Sequence, residues 1–355
     1  MPYLVLVVRR SHIIEDTVQQ LMEHQDDLKK ALKVMFYGEY ALDAGGVTKE
    51  FFQLLTRRLL APEQGLFTCY DENYNTGKEL EGREWEYSVV GMVLGLAIYN
   101  QVILDMRFPR AIYAKLLGER VGLRELSHSF PELASNLSKL LDYDDASLVE
   151  GLGLYFEVTD RRAATLNGGP RSIPLVEGGS DIAVTKANRR EYVEKYADWI
   201  LNRSIEAPFR AFQKGFLRVI GRREGYKAKA LSLMTPQELE CLICGSPEAD
   251  LDGLEDSPNI ATQTPVVQFF WQCFRTLSQE QKKRLLTFVT GSDRVPISGV
   301  SGLKMIIQSG GNNEANLPSA HTCFNTLILP QYKTYEKLRE KLLLTLEYAE
   351  GFGLY

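Results

Sequence analysis

Between Val89 and Leu104 the chain reads VVGMVLGLAIYNQVIL, its longest apolar run. The run is shorter than the ~20 residues a membrane-spanning helix requires, and Asn100 and Gln101 interrupt it. A helix that is apolar on every side has to be enclosed on every side. The chain must therefore build a core thick enough to surround one helix completely. With 355 residues, 45% of them hydrophobic, it has the material to do so. At about 150 residues per domain, that length predicts roughly two domains.

Charge and cysteine usage narrow the function classes. A net charge of −5 argues against a non-specific grip on nucleic acid, which needs a basic footprint. The five cysteines, Cys69, Cys241, Cys244, Cys273 and Cys323, are odd in number and widely scattered. A secreted disulfide framework is shorter and denser, so a reducing compartment is expected, the cytoplasm and also the nucleus. No secretory leader opens the chain and no membrane span is expected.

Periodicity divides the chain. Tyr3–Val8 is β-branched and apolar and reads as a strand. From Ile13 to Phe36 the residues Ile14, Val18, Leu21, Leu28, Leu32 and Met35 predict helix. A turn at Asp43-Ala-Gly-Gly46 leads into a helix carrying Phe51, Phe52, Leu54, Leu55 and Leu59. Helical patterns return at 85–104, 109–118, 131–142, 189–220 and 236–243. Between 160 and 183, Asn167-Gly168-Gly169 and Gly178-Gly179 bracket short apolar runs and predict a small β-hairpin. Cys244-Gly-Ser-Pro247 ends a helix, since Gly caps it and Pro cannot continue it. The acidic stretch Glu248 to Asp256 then reads as a linker. Beyond it, 266–277, 279–289 and 335–349 read as helices, and 304–307 and 322–329 as strands. The fold class is α+β: a large, mostly helical part and a small α/β part.

Chemistry-bearing motifs are sparse. The chain has no phosphate-binding loop, no dinucleotide fingerprint and no H-E-x-x-H. Four histidines, His12, His24, His128 and His321, make a His-rich metal site improbable, and no metal is expected. Cys241-Leu-Ile-Cys244 has C-x-x-C spacing but lacks the second pair a structural zinc site needs, so both read as helix cysteines near the linker. Cys323 lies where the polar segment Ser319 to Thr322 enters the strand. In an extended chain His321, Cys323 and Asn325 share a face, and a neighbouring imidazole raises the thiolate fraction. From the residues alone, buried filler and nucleophile both remain open for this cysteine.

Leu317-Pro-Ser-Ala-His-Thr-Cys-Phe-Asn325, followed by Leu327-Ile-Leu-Pro330, resembles the active-site segment of HECT ubiquitin ligases. Phe288-Val-Thr-Gly-Ser-Asp-Arg-Val-Pro296 and Leu303-Lys-Met resemble the family's carboxy-terminal lobe. Tyr37-Gly-Glu and Asp43-Ala-Gly-Gly-Val-Thr-Lys-Glu-Phe-Phe52 resemble its amino-terminal lobe. Gly95–Asn100, Asn188-Arg-Arg, Phe212–Phe216 and the terminal Gly351-Phe-Gly353 fall in the family's order, so the likeness covers nearly the whole chain.

The resemblance implies a bilobal HECT fold. A large N-lobe at 1–244 contains a conjugating-enzyme-binding subdomain at roughly 125–205 with the hairpin. A hinge at 245–248 leads to a small C-lobe at 249–355. It implies that Cys323 accepts ubiquitin from a ubiquitin-conjugating enzyme as a thioester and passes it to a lysine of a protein substrate, with no cofactor. Leu133, Asn136, Leu137, Tyr143, Leu152, Leu154 and Tyr192 would line the conjugating-enzyme groove. Asn136 and Tyr192 depart from the residues common there. Phe352 matches a phenylalanine that places the donor for lysine attack. His321 is the nearest candidate for help with the lysine proton, with Glu50 and Asp105 from the large lobe.

Two other readings reuse the same residues. A cysteine protease or deubiquitinase would want its histidine far along the chain from the cysteine, whereas His321 is two residues away. A non-catalytic docking module would make Cys323 dispensable. Ligases of this type commonly form the tail of longer proteins, so the chain is expected to be a catalytic fragment.

Overall fold

The computed structural model describes residues 2–39, 45–70, 73–76, 82–160, 171–221, 231–247, 250–255 and 264–348. Strands β1 (Tyr3–Val8) and β2 (Ala31–Phe36) pair in parallel, Leu4 opposite Leu32 and Leu6 opposite Val34. Helix α1 (Ile13–Glu23) lies between them in the chain. The expected continuous helix from Ile13 to Phe36 is therefore wrong in its second half. Ala31–Phe36 buries Leu32, Val34 and Phe36 on one face with period two, and parallel pairing with β1 wins over the weaker helical spacing.

Next come α2 (Gly46–Leu59), the antiparallel pair β3 (Phe67–Tyr70) and β4 (Asn73–Thr76), α3 (Glu84–Tyr99) and α4 (Arg110–Leu116). Helices α5 (Leu123–Ser129), α6 (Pro131–Asp142) and α7 (Ala146–Gly151) precede the hairpin strands β5 (Glu157–Asp160) and β6 (Arg171–Pro174). A hairpin forms, but its first strand precedes nearly all of the expected 160–183, and Asn167-Gly168-Gly169 lies outside the described residues. Then follow α8 (Arg189–Leu201), α9 (Glu206–Ile220) and α10 (Pro236–Cys244). The helical pattern expected at 189–220 is interrupted at Asn202, whose φ of −126° and ψ of −67° leave the helical region.

The last part holds α11 (Pro265–Thr276), α12 (Gln279–Thr290), strands β7 (Ile306–Ser309), β8 (Ser319–His321) and β9 (Thr326–Leu329), and α13 (Tyr335–Tyr348). Strand β9 is central, parallel to β7 and antiparallel to β8.

Buried side chains form three clusters. The first runs from Leu4 to Cys244, the second from Leu251 to Leu346, and the third, from Ala111 to Leu201, surrounds the hairpin. The acidic stretch expected to be a linker is anchored in its described part, because Leu251 and Leu254 are buried in the second cluster.

Helix α3 sits at the centre of the first cluster with ten of its residues, Tyr87 and the run from Val89 to Ala97, buried. Its partner α9 approaches so closely that glycine is required at the contact. A Cβ on Gly215 would lie 1.8 Å from the Ser88 carbonyl oxygen, and one on Gly91 would lie 2.0 Å from that of Phe212. Both obstacles are backbone atoms that cannot step aside. Gly215→Ala should therefore destabilise the chain by about 2 kcal/mol, overpacking of ~3 kcal/mol outweighing the ~1 kcal/mol of helix propensity that alanine adds. Urea unfolding would measure it; an unchanged midpoint would mean that the helices can move apart.

Candidate active site

Strand β8 ends at His321, and the chain then makes a single 3-10 turn over Thr322–Phe324. Asn325 follows in the left-handed region, at φ 48° and ψ 41°, and returns the chain to β9. Asparagine tolerates that conformation better than most residues, and here its side-chain amide donates to the Leu303 carbonyl. The expected strand at 322–329 begins instead at Thr326, so the alternation that would put His321, Cys323 and Asn325 on one face does not apply. A tight turn replaces it. Cys323 stands at the tip, half-buried, and His321 is exposed.

This turn faces α2. Lys49 Nζ donates to Thr322 O at 2.7 Å, to Asn325 Oδ1 at 2.6 Å and to Thr290 O, the last residue of α12, at 3.0 Å. The glycine after α12, Gly291, adopts φ 78° and leaves the end of the helix open to Gln53, whose amide lies 3.5 Å from Thr290 O. Gly46, at the start of α2, leaves room for the Phe324 ring. Arg107 pairs with Asp293 at 2.9 Å, and Arg294 donates to Gly245 O at 3.2 Å and contacts Glu240 at 3.3 Å. Around these contacts a cleft of about 1420 Å³ opens between the first and second clusters, and Cys323, Lys49 and Asp105 line it.

The electrostatics of the turn follow from burial. Loss of water pushes the Cys323 thiol above its usual range, and the nearby Glu50 carboxylate pushes the same way; the Thr322 hydroxyl and Lys49 oppose them. Burial pushes Lys49 down to about 8, with Cys323 opposing. Glu50 is shared with Arg10, which contacts it at 2.6 Å and Glu39 at 2.6 Å. Asp105 is exposed and approaches Arg107 at 3.5 Å. Among the described residues no histidine lines the cleft. Phe352 lies outside the described residues.

Cys244, the second cysteine of the C-x-x-C spacing, behaves otherwise, while Cys241 is half-buried but does not line the cleft. Cys244 is buried, its sulfur bonded to Met106 O at 3.0 Å and to the Tyr113 hydroxyl at 3.3 Å, and burial pushes it up to about 11. A thiol held that high is structural. Among the described residues no group of three or more His, Cys, Asp or Glu is placed to hold a metal, and no helix is long and apolar enough to cross a membrane.

The residues expected to form a docking groove all lie in or beside the third cluster, but in two environments. Leu137 and Tyr192 are core, Tyr192 only 4% exposed, with its ring edge-to-face with Phe156 at 5.5 Å and with Tyr196 at 5.7 Å. Leu133 and Leu154 are half-buried against the same core, while Asn136, Tyr143 and Leu152 are exposed. The exposed Leu148, Tyr155 and Ile182 add apolar surface that sequence reasoning did not single out. Lys49 and Gly46 were also missed. The available signal was their spacing with Gln53, which puts all three on one face of α2.

Comparison with known proteins follows the same lines. A model of the HECT-domain (ubiquitin-transferase) family matches residues 53–355. The chain is 40% identical, over 99% of its length, to the probable E3 ubiquitin-protein ligase HERC4 of Homo sapiens, of which it covers 33%. It is 38% identical over its full length to the probable E3 ubiquitin-protein ligase HECTD2 of Mus musculus, covering 47%. It is also 38% identical, over 99%, to the probable E3 ubiquitin-protein ligase HUL4 of Eremothecium gossypii, covering 43%. The chain thus spans between a third and a half of the length of these relatives. With its family match running from the middle of α2 to the last residue, this chain belongs to the HECT-domain (ubiquitin-transferase) family.

Proposed function

We propose that this chain is the catalytic part of a ubiquitin-protein ligase, carrying ubiquitin as a thioester on Cys323 and transferring it to a lysine of a protein substrate. Its partners are ubiquitin, a ubiquitin-conjugating enzyme and the substrate. The observation that carries this reading is the position of Cys323, on a turn at the edge of an open cleft, while Cys244 and Cys273 are buried.

The chemistry is two acyl transfers. The Cys323 thiolate attacks the carbonyl of the thioester that joins ubiquitin to its conjugating enzyme, and that enzyme's thiolate leaves. One thioester replaces another, so positioning decides the rate. A neutral lysine amine then attacks the Cys323 thioester, an amide forms, the Cys323 thiolate leaves and the amine's surplus proton departs. A free lysine has a pKa of about 10.4, so that proton must be taken up near the site. Phe352 places the donor, and His321, exposed and two residues from Cys323, helps remove the lysine proton.

The division is two-lobed, 1–244 and 249–355, with a hinge at 245–248. In support, the first buried cluster ends at Cys244 and the second begins at Leu251. The crossing is not slack along its whole length, because Ser246 and Val295 exchange hydrogen bonds of 2.7 and 3.1 Å. The third cluster, close to the expected 125–205, receives the conjugating enzyme on its exposed Tyr143 and Leu152.

Three outcomes test this reading. Incubated with a charged conjugating enzyme and run on a non-reducing gel, the chain should form a reducible ubiquitin adduct that Cys323→Ala abolishes. An adduct that survives Cys323→Ala would move the nucleophile elsewhere. Tyr143→Ala and Leu152→Ala should each weaken conjugating-enzyme binding by about 1–2 kcal/mol without altering thermal unfolding, whereas Tyr192→Ala should destabilise the subdomain by ~3 kcal/mol, since it removes a core ring. Equal binding by all three variants and wild type would retire this docking surface. Because burial and then Glu50 raise the Cys323 thiol, its thiolate fraction is low at neutral pH. Alkylation of Cys323 should therefore still be accelerating above pH of about 8.5, where a free cysteine is half ionised. A rate that levels off below that value would contradict the assigned surroundings.

A further inference from the structure

Along α2, Gly46, Lys49 and Gln53 follow one another at steps of three and four residues, so they share a face. That face presses on the Cys323 turn and on the end of α12. An ammonium has three donors, and Lys49 has three acceptors, Thr290 O, Thr322 O and Asn325 Oδ1, drawn from both flanks of Cys323 and from the helix behind it. The ring of Phe324, the next residue after Cys323, fills the place a Cβ would take on Gly46, its Cε1 only 2.1 Å from that point, although the residue is 53% exposed. One cation and one missing side chain thus hold the two neighbours of Cys323.

We propose that Lys49 is a positioning residue for Cys323: with Gly46 it pins Thr322–Asn325 to α2 in a closed resting arrangement, from which the turn must release before the thiol accepts an acyl group. This rests on the reading of Cys323 as the acyl carrier. In the pinned arrangement the sulfur is half-buried and close to Glu50, so a flexible tail has restricted access and the thiol stays protonated. Lys49 by itself favours the thiolate, but burial and Glu50 outrank it. Freeing the turn therefore makes the thiol more reactive even when the ammonium is lost with it. A buried cation whose partners are mostly neutral oxygens adds little net stability, which suits a contact that has to open.

Alkylation by iodoacetamide, read by intact mass and peptide mapping, separates the possibilities in wild type, Lys49→Met, Lys49→Arg and Gly46→Ala. Lys49→Met removes the donors. Gly46→Ala keeps them and displaces only the Phe324 ring, whose exposed side is free to swing outward. Lys49→Met should label Cys323 about tenfold faster, the factor for losing roughly one charge-assisted hydrogen bond, and Gly46→Ala should also label it faster, because the ring next to the sulfur can no longer seat on α2. Lys49→Arg, which keeps the cation and its donors, should stay near the wild-type rate. Cys244 and Cys273, 2% and 0% exposed, should remain protected in every variant. Unchanged or slower labelling of Cys323 in both Lys49→Met and Gly46→Ala would overturn the proposal. So would parallel labelling of Cys244 and Cys273, which would mean general loosening. The assay uses neither ubiquitin nor a conjugating enzyme, so a missing ubiquitin adduct would sink the ligase reading while leaving this result to decide the role of Lys49.

Discussion

The enclosure of α3 organises the rest of the molecule. A helix with no polar face must be surrounded, and α9 comes close enough for its Gly215 to meet the Ser88 backbone. The end of α3 then distributes that rigidity. The Asn100 side chain accepts from Leu32 N at 2.8 Å, which ties β2 to the helix. Leu104 N donates to Ile243 O at 2.9 Å, and Met106 O accepts the Cys244 thiol, so the last turn of α10 is fixed to the segment leaving α3. Immediately after that turn Gly245 takes φ 79°, where a Cβ would lie 2.7 Å from Val295 O. The point at which the chain leaves the first core is thus defined to within a residue by contacts that trace back to one buried helix.

At the cleft a different balance operates. Lys49 and Glu50 act on Cys323 with opposite sign, and Arg10 holds Glu50. Arg10 stacks on Phe36 with its guanidinium carbon 3.9 Å from the ring centroid and bridges Glu39 and Glu50. Arg10 thereby holds the Glu50 side chain in place near the thiol, while Lys49 serves the backbone around it. Loss of water, with Glu50 beside it, holds the sulfur a weak acid, and Lys49 works against them.

Much of this was legible in the sequence, and what was not has identifiable physical causes. The helices at 131–142 and 236–243, the existence of a hairpin and the break after Cys244 followed from periodicity and turn residues. The segment Ala31–Phe36 was misread because Leu28, Leu32 and Met35 also fit a helical spacing, and only the tertiary pairing with β1 decides between the two periods. The turn at Cys323 was misread as strand because Asn325 enters the left-handed region, which no periodicity predicts. Of the residues expected to line a docking groove, Leu137 and Tyr192 are buried in the third cluster, because helical spacing does not separate a groove lining from the core behind it. Lys49 was invisible for a simpler reason. Its acceptors lie 241, 273 and 276 residues further along the chain, and side chains that far apart are brought together only by the fold.

The interface between the first and second clusters is built differently from the clusters themselves. Each cluster is a packed apolar core, in which exposing even one large side chain costs about 1.5–3 kcal/mol. Between them lies a cleft, and the contacts identified across it are mainly polar: the Lys49 bonds, Arg107 with Asp293, and Arg294 with Glu240 and Gly245 O. The Arg107–Asp293 pair is partly exposed, and a pair of that kind contributes roughly 0–1 kcal/mol, because water replaces the lost partner. Phe324 on Gly46 is an apolar contact across the gap, and that residue is already half in solvent. Separating the two clusters therefore costs far less than disrupting either. Movement of Cys323 relative to α2 is the inexpensive motion of this fold, and it requires no loosening of the core around α3.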